Sequence, residues 1–245
     1  MGKMVSRLLK AAPFASMVLL VLLIAAAEAF PHTLIALTAE DGFVENLTAL
    51  LFLFSGLVFF WCAYKAHTSP RRKGPLLVFC LAAWGVLLVV FAGEEISWGQ
   101  RIFDFATPEA IDRANKQNEF NIHNLSFFDS FGGTGAYVSM LMLTVGLVLP
   151  ILDRYLPIIG KIGIPVPSLA CSILFVGAYM YGIYFKLIPA KFEAELQFVY
   201  FFRAIEIREL ILSLATVCFA HEFLWRITSA PGQPGQPGHG AARTG

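Results

Sequence analysis

Charge is what this sequence has least of. Asp, Glu, Lys and Arg make up only 14% of the 245 residues, against about a quarter in an average soluble domain. The formal net charge is +1, so no general basic field is present to hold nucleic acid. Cysteine is scarce too. Cys62, Cys80, Cys171 and Cys218 lie far apart, each inside an apolar run. That spacing excludes a CxxC-type metal site and argues against a disulfide framework. Each reads as a small buried apolar residue. The chain also lacks a P-loop, a GxSxG elbow and an HExxH motif, which removes the commonest phosphate-binding, serine-hydrolase and zinc-protease readings.

What remains is apolar. Hydrophobic residues make up 57% of the chain, concentrated in long runs. A helix needs about 20 apolar residues to cross a bilayer. Six runs qualify as expected spans, at residues 14–36 (interrupted by Glu28 and Pro31), 43–64, 75–95, 135–152, 165–185 and 202–225. The expected fold is therefore all-α: a polytopic transmembrane helix bundle forming a single domain over residues 1–228. Residues 229–245 form a Gly/Pro-rich tail with nothing to bury, expected to be disordered. Lys3, Arg7 and Lys10 ahead of the first run fit either a signal peptide or a first span entering with its N-terminus inside. An uncleaved span is favoured.

Lysine and arginine in short loops set orientation. The N-terminal arm, the loop with Lys65, Arg71, Arg72 and Lys73, and the loop with Arg154 and Lys161 fall on one side of a six-span chain. That side is expected to be the cytoplasm, with both termini there. The expected location is a bacterial inner (cytoplasmic) membrane. The expected partners are the lipid bilayer and either a lipid-like substrate or another membrane protein. The segment between the third and fourth spans is then extracytoplasmic. In it, Thr107, Pro108 and Glu109 mark the start of a short amphipathic helix running to about Gln117.

Acidic residues at the ends of apolar spans are costly and become functional candidates. Glu94 and Glu95 close the third run, and Trp98, Gln100 and Arg101 follow at once. Continued helix would place Glu94, Trp98 and Arg101 on one face. Glu45, Thr48, Phe52 and Ser55 form a stripe at steps of three and four in the second run. Arg203, Glu206, Glu209, Ser213 and Thr216 do the same in the last. Such spacing stacks side chains on one face of each helix. The topology brings Glu45, Glu94, Glu95, Glu206 and Glu209 to one end of the bundle. Glu119 and His123 are expected on the same side. If residues 119–123 are extended, Glu119, Asn121 and His123 share one face, and Phe120 and Ile122 take the other, docking on the bundle.

Gathered acids must share protons, pair with arginine or bind a cation. Three readings stay open. The first is a membrane-embedded enzyme on a lipid-like substrate. There Glu94, Glu95, Glu119 and His123 would be catalytic. Trp98, Gln100, Arg101 and Arg203 would bind substrate, and Glu95, His123, Glu206 and Glu209 would hold a divalent metal. Carboxylates with one histidine suit iron, manganese or zinc. The second is a proton- or ion-coupled transporter using the same acids as a relay. The third is a non-catalytic assembly subunit with a structural Glu/Arg network. Glu222 and Arg226 read as a solvated i,i+4 ion pair.

The run GEEISWGQR, followed by Asn115, Gln117, Glu119, Asn121, His123 and Asn124 at N-x-Q-x-E-x-N-x-H-N spacing, resembles the signature of an uncharacterised family of bacterial multi-spanning membrane proteins. The resemblance covers about thirty residues. It implies an integral inner-membrane protein and carries no activity to transfer. A looser comparison is with alkaline ceramidase-like hydrolases. Their zinc site uses a closely spaced histidine pair in a late span, where this chain has only His221.

Overall fold

A helix that is apolar on every side must lie in a protein core or in lipid. In the computed structural model, every regular element among the described residues is helical. The structure describes residues 17–26, 29–39, 42–69, 74–112, 120–121, 133–156, 158–187 and 194–228. In chain order the helices are α1 (Met17–Ala26), α2 (Pro31–Leu37), α3 (Phe43–Thr68), α4 (Pro75–Glu95), α5 (Gln100–Phe103) and α6 (Glu109–Asp112). They continue with α7 (Thr134–Tyr155), α8 (Ile158–Ile162), α9 (Leu169–Leu187) and α10 (Ala194–Thr228).

Among the described residues, four segments are long and apolar enough to cross a membrane: α3, α4, α7 and Arg203–Thr228 of α10. The first and fifth expected spans correspond to shorter apolar helices, Met17–Ala26 and Leu169–Tyr184. The first expected run is not one helix. Phe30 leaves helical geometry at φ −133° and ψ 58°, and Pro31 opens α2. A residue before proline is pushed out of the α region, which explains the break. Large apolar side chains such as Leu50, Phe54, Trp61, Phe79 and Val86 stay exposed on α3 and α4. Such a surface suits lipid better than water.

The centre of the bundle is α3, packed most extensively against α4 and α10. Gly56 and Gly85 let α3 and α4 approach closely: a Cβ on Gly56 would stand 3.0 Å from the Gly85 carbonyl oxygen. Small residues do this work between helices in lipid, where burial in itself gives little. An aromatic cluster packs within the core. Phe59 stacks on Trp84 at 5.8 Å, and Phe219 meets Phe59, Trp84 and Phe223 edge-on. Helix α7 widens into a π turn at Thr144–Val148, where Gly146 fits against Phe175 and Val176 of α9.

At the far end of α10, Glu222 does more than pair with Arg226. One carboxylate oxygen accepts from Arg226. The other accepts from the Ser168 backbone N–H at 3.0 Å and the Cys171 thiol at 3.3 Å. Arg226 also donates to the Val166 carbonyl at 3.1 Å. This corrects the expected solvated pair. Glu222 is largely buried, its side chain 12% exposed, and the pair ties the 164–168 loop and the start of α9 to α10.

Candidate carboxylate site

Two polar stripes meet at the heart of the molecule. The Thr216 hydroxyl of α10 lies 3.2 Å from the Ser55 hydroxyl of α3. Glu45, at the start of α3, lies within electrostatic reach of Glu206. Both pairs are 161 positions apart, so α3 and α10 run parallel in one register. The same offset sets Thr48 level with Glu209 and Phe52 level with Ser213. Thr48, Phe52, Ser55, Ser213 and Thr216 are all buried. Helix α4 runs the other way, as its Gly85 contact with Gly56 and the nearness of Glu95 to Glu45 show. Its last residue, Glu95, therefore arrives at the Glu45 end of α3.

There the acids gather. Carboxylate oxygens of Glu95, Glu206 and Glu209 all lie within 4.8 Å of one another, each residue half-buried. The expected meeting of acids is seen for these three, with Glu45 close by. Compensation is partial. Arg208 pairs with Glu209 at 2.9 Å. Arg203 lies within reach of Glu206, but one of its nitrogens donates to the Thr38 carbonyl at 2.8 Å. Three carboxylates so close need further positive charge, from protons or from a cation. An oxygen triangle of that size has a point within about 2.8 Å of all three corners. Calcium–oxygen bonds run to about 2.3–2.6 Å, so small side-chain movements would close a cation site.

Glu94 faces elsewhere. Helix α4 ends at Glu95, and Ser97, Trp98 and Gly99 come next with φ of 45°, 54° and 78°. The expected helical face shared by Glu94, Trp98 and Arg101 is therefore not formed. The left-handed turn instead folds Trp98 back, so that its ring covers Gly93 and its indole N–H donates to Glu94 at 2.6 Å.

Gln100 is committed to the next segment. Its amide donates to the Thr107 hydroxyl at 2.9 Å and accepts from the Phe120 N–H at 2.6 Å. One side chain thus pins both ends of the 107–120 stretch. The expected short helix is seen over Glu109–Asp112; the rest of its expected length, to about Gln117, lies outside the described residues. Asn121 is buried, 2% exposed, and the half-buried Phe120 packs its ring on Phe105 at 5.7 Å. Phe120 thus contacts its own segment, and Asn121 is the more deeply placed of the two. Glu119, His123 and the side chain of Arg101 lie outside the described residues.

Compared with models of known protein families, with curated proteins and with solved structures, the chain matches none. The site must therefore be read from its own chemistry. Sequence reasoning did not find two of its features. The Gln100 clasp joins residues twenty positions apart and has no local signal. Thr48 was visible only as a member of a stripe, with nothing to mark its hydroxyl.

Proposed function

We propose that this is a six-span protein of a bacterial inner membrane with both termini in the cytoplasm. On this reading its carboxylate site lies at the extracytoplasmic face and holds a divalent cation, as the centre of a membrane-embedded enzyme for a lipid-like substrate. One observation carries the reading: the oxygens of Glu95, Glu206 and Glu209 converge from two helices to within 4.8 Å. In lipid, such acids have no reason to converge without compensation, because each charge costs roughly 2.5–3.5 kcal/mol at the bilayer centre even on the milder scales. The distribution of lysine and arginine in the loops supports the sidedness.

On this reading Glu95, Glu206 and Glu209 hold the cation, and Glu119 and His123 supply the acid–base groups. Arg203 and Arg101 supply positive charge for an anionic group on the substrate. Trp98 orients Glu94, and Gln100 ties Thr107 to Phe120. The Arg208–Glu209 pair favours a second reading, a structural network without metal. Elemental analysis of the purified protein separates the two. The enzyme reading expects about one bound divalent cation per chain, lost in Glu206→Gln. A metal-free wild type, with Glu206→Gln changed only in thermal stability, would leave the structural network standing.

A further inference from the structure

Most hydrogen-bonded serine and threonine hydroxyls on these helices bond back one turn along their own chain, Ser213 and Thr216 to the carbonyl three residues earlier. Those of Thr38, Ser55, Thr68, Ser139 and Thr228 each donate to the backbone carbonyl four residues earlier, at 2.7–2.9 Å. In an apolar helix this is the default satisfaction of a hydroxyl. Thr48 departs from it, as does Ser172 near the Glu222 end of the bundle. Its residue is 1% exposed, and its hydroxyl oxygen is buried with no hydrogen-bond partner. A buried polar atom left unpaired is costly and calls for an explanation. Its place offers one. Thr48 lies on the Glu45–Ser55 stripe, and that stripe faces α10 with Thr48 level with Glu209.

We propose that Thr48 Oγ1 is a ligand of the cation held by Glu95, Glu206 and Glu209, and that the site takes a hard, oxygen-preferring divalent cation. The inference rests on the cation reading above and specifies its chemistry. The donors are three carboxylates and a hydroxyl from three helices, α3, α4 and α10. Among the described residues no histidine or cysteine joins this group. All-oxygen sets suit calcium, magnesium and manganese, whereas zinc and copper sites draw on imidazole and thiolate. A hydroxyl oxygen contributes a neutral donor, so it adds coordination without adding to the like-charge repulsion of the three acids.

The test uses the full chain, purified in detergent, stripped of metal with a chelator and titrated calorimetrically with Ca2+, Mn2+ or Zn2+ alone. Ca2+ and Mn2+ should both bind and compete for one site. Thr48→Val should weaken each by about tenfold or more, and Thr48→Ser should bind as the wild type does. The metal-free Thr48→Val protein should melt no lower than metal-free wild type, because the change removes an unpaired hydroxyl and keeps the shape. Unchanged binding in Thr48→Val, or a lowered metal-free melting temperature, would overturn the role of Thr48 while leaving the cation site intact. Binding of Zn2+ with no response to Ca2+ or Mn2+ would overturn the oxygen-only assignment. A wild type that binds none of the three would remove the cation reading and this inference together.

Discussion

The Thr216 hydroxyl of α10, bonded to its own Ser213 carbonyl at 2.7 Å, also meets the Ser55 hydroxyl oxygen of α3 at 3.2 Å in buried space. This contact fixes how the two helices slide against each other. The polar residues on them repeat the same steps: Glu45, Thr48, Phe52 and Ser55 on one, Glu206, Glu209, Ser213 and Thr216 on the other. Two stripes of identical spacing on parallel helices meet level by level. A shift of one turn would part Glu45 from Glu206 and Thr48 from Glu209.

Thr216→Val should therefore loosen the register. Interhelical side-chain hydrogen bonds in membranes average about 0.6 kcal/mol. The melting temperature in detergent should fall modestly, and Ser55→Ala combined with Thr216→Val should cost less than the two single changes added together. Full additivity would mean that the two hydroxyls do not act as a pair.

Glu222 predicts the behaviour of the opposite end. Its sixteen-residue separation from Glu206 is about 24 Å along the helix. Glu222→Ala strands Arg226, the Ser168 N–H and the loop that they hold. It should cost about 1–3 kcal/mol, and Glu222→Gln less, because an amide oxygen still accepts from Ser168. Metal content should not change in either variant. Thermal melts with elemental analysis on the same samples check both halves of this expectation.

Gly99 permits the turn after α4. Its φ is +78°, and an added Cβ would stand 3.0 Å from the Phe103 ring. Gly99→Ala should destabilise by roughly 1–2 kcal/mol, the cost of the left-handed region for a residue with a Cβ. The fluorescence of Trp98 should report a changed environment, since that ring is held by the same turn. An unshifted melt would mean that the turn relaxes without cost.

Sidedness has its own test. Reporter fusions at Ser69 and Lys161 should read as cytoplasmic, and fusions near Asn115 as extracytoplasmic. A cytoplasmic reading at Asn115 would move the carboxylate site to the other face of the membrane.

Much of the helical framework was legible because lipid-facing helices carry their signal along a single run. The starts of α3 at Phe43 and α4 at Pro75, and the end of α4 at Glu95, fall where composition changes. The polar stripes were legible from their three-and-four spacing, and with them the meeting of Glu95, Glu206 and Glu209. The turn beyond Glu95 was not legible. Ser97 and Trp98 adopt positive φ without being glycine, and nothing in their identity announces it. Non-local ties were equally hidden: Gln100 to Phe120, Arg203 to Thr38 and Glu222 to Ser168 each depend on which helix ends become neighbours. The break at Phe30 was legible in Pro31, which interrupts the first run.

The cation site is tested most sharply by anomalous diffraction from crystals of the protein grown with Mn2+. A single manganese peak is expected at the Glu45 end of α3, within bonding distance of carboxylate oxygens of Glu95, Glu206 and Glu209, and it should disappear in Glu206→Gln. A well-ordered carboxylate cluster with no peak, or a peak held by other residues, would contradict the site.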